Sequence, residues 1–376
     1  MTADNKEEEY KSSGLKVKVR AFGSPKIAEL LRSTIMGTEG KLRYRQTEIV
    51  ERMKKQRHIE FIEILKGTRV LGTTGIVTRQ TRTAAEVRRS LYVRYLSVAK
   101  GFKSRKRKRS GLGKKATRNS DRKSDLRDQI ADQLTSHFEA PFIEEDREGA
   151  FYAYVEAENI NSQNLCLSMG FNPIRKVQTL LFSRFQPTEL KSASTIGFTD
   201  QPIIKQKLAE FYSEYSLYFE DQIFDTGFYF VLKEKDKIVA GIRATPVHWQ
   251  LVEYPGFEGW LMTEVLPYLP MTNKLFKPGQ FNFLAFDYAF YKDGNIKLLT
   301  ELMSHCCALL GFHVGMFWGD QQAEITKTLQ NSDLGFLNSV VGSVGADLMV
   351  RFVNSSKEYE QSIHQKPVFI SALDMT

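Results

Sequence analysis

The sequence predicts an α/β (α+β) fold laid down twice in tandem along a chain of 376 residues. Three observations carry that expectation. A pair of β-rich runs around a short turn occurs in both halves, and so does a strand, helix, strand unit that closes on Gly-Phe. The repeated glycines are almost evenly offset, by 169 residues for Gly72 and Gly241 and by 165 for Gly170 and Gly335. Near-constant spacing argues for repetition of one unit rather than an unrelated second domain. The chain also exceeds the length of a usual single core, and its 42% hydrophobic content supplies enough side chains to bury two.

Taken in order, the segments 59–65 and 70–77 flank Lys66-Gly67-Thr68 as a hairpin, and 90–98 reads as a further strand. A basic, glycine-bearing loop follows, from Lys103 to Gly113, then a polar segment ending in an amphipathic run over 126–134. Segment 150–155 is a strand. Asn159 caps a short helix, Gly170 ends it where a left-handed residue is needed, and Phe171 opens the next apolar strand. A strand ends at Pro187 and polar residues follow to Ser194, so the expected organisation is a disordered tail over 1–14, one domain over 15–187 and a second over 192–376. In the second, 228–232 and 238–242 repeat the hairpin, 281–290 is the central strand, 296–310 an amphipathic helix and 312–318 the next strand, with Leu334-Gly335-Phe336 echoing Met169-Gly170-Phe171. There a short turn, Tyr291 to Asn295, replaces the glycine loop, leaving nothing obvious to hold a pyrophosphate.

Consecutive backbone N–H groups at a helix N-terminus form an anion site, and glycines let the chain approach a pyrophosphate closely. The amides of Gly111, Leu112, Gly113 and Lys114 fit that description. Strand, glycine loop, helix, strand, helix, strand, closed by Asn159-x-x-Ser162-x-x-Leu165-x-x-x-x-Gly170-Phe171, resembles the GNAT superfamily of N-acyltransferases. The resemblance covers most of residues 15–185 and, with weaker motifs, 192–352. It implies that each domain is a mixed, mostly antiparallel sheet flanked by helices, with the fourth and fifth strands splayed to admit the pantetheine arm of acetyl-CoA or another acyl-CoA.

The same resemblance implies the site residues. Backbone groups of Leu96, Ser97 and Val98 would bind the arm as an added strand does, and one of their N–H groups would polarise the thioester carbonyl. Lys103, Lys108, Arg109, Ser110, Gly111, Leu112, Gly113 and Lys114 would meet the phosphates, although Lys108 stands where Gln or Arg is usual and the Arg105–Arg109 run lengthens the loop. Asn159 and Ser162 complete the cofactor set, and Asn159 read alone is a helix cap. Many family members carry a Glu on the fourth strand; here the polar side chains are Tyr92, Arg94 and Tyr95. Glu156 and Glu158 are then the candidate bases, or solvated loop carboxylates. Cys166 occupies the position of the usual acidic Tyr, as a proton donor or as packing.

Charge divides the chain. Residues 1–190 hold 38 Lys and Arg against 23 Asp and Glu, whereas 191–376 hold 15 against 21. A polyanion is expected for the first half. Coenzyme A would suffice, and so would a nucleic-acid backbone or an anionic membrane. No apolar run approaches the roughly 18 residues of a spanning helix, and the opening residues lack the pattern of a secretory signal, so a cytoplasmic location is expected. Three cysteines without zinc spacing give neither a disulfide framework nor a metal site. Three functions remain open: an N-acyltransferase acting on a primary amine, a binding or regulatory protein that has lost catalysis, and a nucleic-acid or anionic-surface module. The second half is assigned a structural, dimerising (homodimer) or acceptor-binding role.

Overall fold

The computed structural model describes residues 7–12, 15–83, 86–99, 136–270, 272–340 and 345–376, whose fourteen strands join in one mixed sheet. The first half contributes β1 (Glu7–Ser12), β2 (Leu15–Arg20), α1 (Pro25–Ser33), β3 (Arg43–Gln46), α2 (Ile49–Lys55), β4 (Ile59–Lys66), β5 (Arg69–Thr83) and β6 (Glu86–Val98). After a helix over 136–144 (α3) come β7 (Gly149–Glu156), α4 (Ile160–Ser168) and β8 (Asn172–Ser183). The second half runs β9 (Ala193–Thr195), α5 (Gln201–Phe211), β10 (Phe228–Glu234), β11 (Lys237–Glu253), α6 (Gly256–Trp260), β12 (Gln280–Tyr291) and α7 (Ile296–Leu310). It ends with β13 (Val314–Asp320), α8 (Glu324–Gln330), α9 (Phe336–Val340), β14 (Gly345–Val353), α10 (Lys357–Gln365) and α11 (Ala372–Met375).

Two expectations change. Glu7–Ser12, read as part of a disordered tail, pairs along its whole length with β2, and Glu9 meets Lys16 across the hairpin at 2.6 Å. Glu9 and Lys16 thus form an opposite-charge pair between neighbouring strands. The hairpin repeat is also shifted by one residue. Bulges at Ile64/Leu65 and Leu232/Lys233 set Gly72 opposite Ile64 and Ala240 opposite Leu232, so Ala240, not Gly241, is the counterpart of Gly72.

Strand order is β1-β2-β4-β5-β6-β7-β14-β8-β13-β12-β11-β10-β9, with β3 added to β11. The centre is an exchange. β14 of the second half lies antiparallel between β7 and β8, while β8 of the first half lies antiparallel between β14 and β13. Each half is thereby completed by a strand of the other.

Side-chain alternation on β7 separates two cores. Phe151, Ala153 and Val155 pack with Phe138 and Phe142 of α3 on one face. Tyr152 and Tyr154 lie on the other face, in the cluster that contains Ile27 and Leu31 of α1 and Ile49 and Met53 of α2. A third cluster gathers Leu208 of α5, Leu299 and Leu302 of α7 and Leu329 of α8 over the second half.

Candidate active site

The parallel strands β6 and β7 pair only from Arg89/Gly149 to Tyr92/Tyr152. β6 then continues to Val98 and β7 to Glu156 without joining, which opens a gap between them. Within that stretch Gly75 faces Arg94 and Thr73 faces Ser97, so Tyr95 and Leu96 form a bulge against Thr74, with Tyr95 at φ 57°. The Ala99 N–H donates to the Leu71 carbonyl at 2.8 Å. By the alternation of an antiparallel ladder, Ser97 directs its main chain to β5, and Val98 turns its N–H and C=O toward the gap. This corrects the expectation that all three residues face the arm: Ser97 does not, and its hydroxyl lies 2.5 Å from that of Thr34 on the other side. Leu96 and Val98 expose 44% and 48% of their surface beside the opening.

The α1 face of the gap has a polar floor. Arg79 of β5 donates to both carboxylate oxygens of Asp374, at 2.6 and 2.7 Å, and to the Tyr152 hydroxyl at 2.7 Å. The Tyr92 hydroxyl donates to the Asp374 carbonyl at 2.7 Å. Arg94 donates to the Leu373 carbonyl at 3.2 Å and to Gln56 at 3.1 Å, and Arg52 reaches the Thr376 hydroxyl at 2.5 Å. Residues 372–376 are thus laid against the vertex by arginines from α2, β5 and β6.

Glu156, at the end of β7, projects on the face of Tyr152 and Tyr154. It accepts a hydrogen bond from Thr38 at 2.9 Å. Burial raises its carboxyl above the ordinary glutamate range against the opposing Thr38 hydrogen bond, and the charge of Glu158 adds to the rise. Burial, and next the charge of Glu156, push up the phenol of Tyr44, which stacks on Trp249 at 3.8 Å. Thr38, Tyr44, Tyr154 and Glu156 therefore gather at one side of the opening.

The other expected residues are placed differently. Glu158 is exposed and pairs with Lys41 at 3.4 Å, as a solvated loop carboxylate does. Asn159 caps α4 by accepting the Ser162 N–H at 3.1 Å, and Gly170 takes φ 80° after the helix, as its position required. Cys166 packs, half-buried, against the α3-side core, and burial pushes its thiol up. Tyr95 stacks on Phe61 at 6.0 Å and lies 4.1 Å beneath the Arg94 guanidinium, its buried hydroxyl without a hydrogen-bond partner among the described residues. Lys103, Lys108, Arg109, Ser110, Gly111, Leu112, Gly113 and Lys114, with the expected helix over 126–134, lie outside the described residues. Sequence reasoning missed Arg79, Thr38 and Asp374. A charged residue inside the apolar strand 69–83 was a signal for a buried ion pair; its partner, far away in sequence, had none.

The second half repeats the opening and fills it. β12 and β13 pair in parallel only from Leu284/Gly315 to Phe286/Phe317, and Tyr288 and Ala289 bulge against Ile242, with Tyr288 at φ 45°. Arg243 stands where the first half has Gly75, and Asp287 where it has Arg94. Their bidentate pair measures 2.7 and 2.6 Å. The Ala372 N–H and the Ser371 hydroxyl donate to Asp287, the Val368 N–H donates to Asp320 at 2.9 Å, and Phe369 packs on Tyr288 at 4.8 Å. Residues 367–372 of the chain itself thus bridge the parted strands β12 and β13.

Two bulged, splayed parallel pairs joined by exchanged strands define a duplicated GNAT-type N-acyltransferase fold. Among solved structures, Saccharomyces cerevisiae N-myristoyltransferase with bound myristoyl-CoA matches at TM-score 0.53 and 10% identity, over 93% of this chain and 85% of that one. The same enzyme with myristoyl-CoA and inhibitors matches at TM-score 0.55 and 10% identity, over 98% and 89%. A GCN5-related N-acetyltransferase from Anabaena variabilis matches at TM-score 0.45 and 12% identity, over 90% and 73%. No family model and no curated protein matches the sequence. Among the described residues no helix is long and apolar enough to cross a membrane.

Proposed function

We propose that the chain is an N-acyltransferase that moves an acyl group, acetyl in the simplest case, from acyl-CoA to a primary amine by direct attack in a ternary complex. The observation that carries the reading is the contrast of the two gaps: among the described residues no segment lies along β6 beyond the vertex in the first, where Val98 main-chain groups face the gap, while the second holds residues 367–372 of the chain itself. Pantetheine would lie along β6 as an added strand, its diphosphate toward the amides of Gly111 to Lys114 and the basic side chains of Lys103, Lys108 and Arg109.

The thioester carbonyl would then sit at the Tyr95–Leu96 bulge, where a main-chain N–H stabilises the oxygen as it becomes negative. An amine entering on the Thr38 and Tyr44 side meets Glu156. A carboxylate with a raised pKa is a better proton acceptor than an ordinary one, so Glu156 takes the amine proton, directly or through water, as the C–N bond forms. The C–S bond breaks and coenzyme A leaves as a thiolate, which takes its proton from solvent or from the Cys166 thiol. Glu158, ion-paired and exposed, has no part in this sequence.

The test measures binding first and turnover second. Acetyl-CoA should stabilise the protein against heat, and Gly111→Glu, which adds bulk and negative charge to the loop, should abolish that shift. Thiol release with a panel of amines should follow in the wild type and fall in Glu156→Gln. Acetyl-CoA binding without thiol release from any amine would favour a non-catalytic binding protein. Strong DNA or heparin binding with no coenzyme A effect would replace both readings with the anionic-surface module.

A further inference from the structure

Resting on the reading above, we infer that the acyl end of the first gap is stoppered on both faces of the sheet by Arg79, Asp374 and the aromatic residues at its vertex, so that the donor carries a short acyl group and a long fatty chain is excluded. An arm entering beyond Val98 runs back along β6 toward the point where the strands close at Tyr92 and Tyr152. From Tyr95 in the bulge to Tyr92 is three strand steps, roughly 10 Å. A thioester held at the bulge has only that stretch before it for the acyl group.

Beyond it the vertex is filled. On the α1 face the Tyr92 and Tyr152 rings stack at 5.1 Å, and the Arg79 guanidinium lies 4.8 Å from the Tyr92 ring with both Asp374 oxygens on it. Arg79 and Asp374 are both almost completely buried. On the opposite face Leu91 and Phe151 pack with Phe138 and Phe142 of α3, so closely that a Cβ on Gly149 would stand 2.0 Å from the Phe142 ring. An alkyl chain pushed past the vertex would have to part a buried ion pair and its hydroxyl partners, and leaving those groups unpaired opposes what hydrocarbon burial returns. Fold likeness to an enzyme that binds myristoyl-CoA does not carry over the depth of its acyl site. Here that depth is set partly by Asp374, delivered by the segment that also fills the second gap.

The experiment titrates the full chain with CoA, acetyl-CoA, hexanoyl-CoA and myristoyl-CoA, each below its micelle-forming concentration. A methylene buried in an apolar channel tightens binding roughly fourfold. The stopper predicts that affinity levels off beyond hexanoyl, with myristoyl-CoA within about tenfold of hexanoyl-CoA, because the methylenes past the vertex stay in water. A continuing rise in affinity per carbon beyond hexanoyl would overturn the inference and leave the acyl-CoA reading standing. Failure of CoA and every thioester to bind would remove that reading and the inference with it. The double variant Arg79→Met with Asp374→Leu removes both charges together; it should gain about tenfold or more for myristoyl-CoA over hexanoyl-CoA. A folded double variant with no such gain would show that the pair is not the stop.

Discussion

One backbone solution, a parallel strand pair that parts after a bulge, is used twice in this molecule with opposite contents. Around Tyr95 the neighbouring position on β5 is Gly75, and the strand edge stays open. Around Tyr288 the same position on β11 is Arg243, which holds Asp287, while residues 367–372 run through the opening. The difference teaches that the gap is a property of the fold, and that what lies in it differs with the residues at matching strand positions, Gly75 and Arg94 in one half and Arg243 and Asp287 in the other. One chain segment serves both, since it leaves the Asp287 side at Ala372 and reaches Arg79 at Asp374.

The comparison breaks most sharply at Arg243. Arg243→Met leaves Asp287 buried without its partner and is expected to cost about 3–5 kcal/mol in denaturant unfolding. If the loss were under about 1 kcal/mol, in the range of surface pairs, the buried pair would not hold the second gap as described. Next in size is Glu156→Gln, for which kcat/KM should fall about 100-fold or more, as for loss of a general base. Because burial holds the Glu156 pKa above the ordinary value of about 4.3, wild-type kcat/KM should decline on acidification through a limb lying above that value, as the base becomes protonated. The Gln variant should lose the limb, and an unchanged limb would exclude Glu156.

Smaller effects sharpen the contrast. Asn159→Ala removes the α4 cap and should cost about 1 kcal/mol of stability, with Asn159→Asp restoring it. Acyl-CoA affinity that fell in Asn159→Asp as well as in Asn159→Ala would assign the residue to the ligand instead. Smallest of all, Gly75→Ala puts a Cβ 2.9 Å from the movable end of Ile59 and 3.2 Å from the Tyr95 ring. Its expected stability cost is under about 1 kcal/mol, since the Ile59 end can shift. A change in acyl-CoA affinity larger than the stability change would show that the bulge position matters to the ligand.

Much of the fold was legible because local signals agreed with one another. Gly170 fell where a left-handed residue was needed, Asn159 where a cap was needed, and the segment 150–155 read as a strand lies within β7. The splay, implied by the family resemblance, is present in both halves. What could not be read came from distance. The sequence of β14 does not say that it will enter between β7 and β8, because a strand with both edges paired looks alike wherever it is inserted. The Arg79–Asp374 pair joins residues at opposite ends of the chain, and Thr38 meets Glu156 through a loop with no pattern of its own. Ser97 was misjudged for a finer reason. The bulge at Tyr95 and Leu96 resets the alternation of main-chain groups, and no residue type announces a bulge that a tyrosine rather than a glycine initiates.

The strand exchange at the centre has a consequence for how the chain reaches this state. Tyr152 must find Val350, and Val177 must find Ala346, before either sheet half is whole. Pairing between such remote stretches delays folding, because the connecting chain has to be ordered before the contacts reward it. Until β14 arrives, β7 and β8 expose bare apolar edges to any neighbouring molecule. A fragment stopping near Pro187 should therefore aggregate rather than fold as a smaller version of the protein, because it lacks the strand that the other half supplies between β7 and β8.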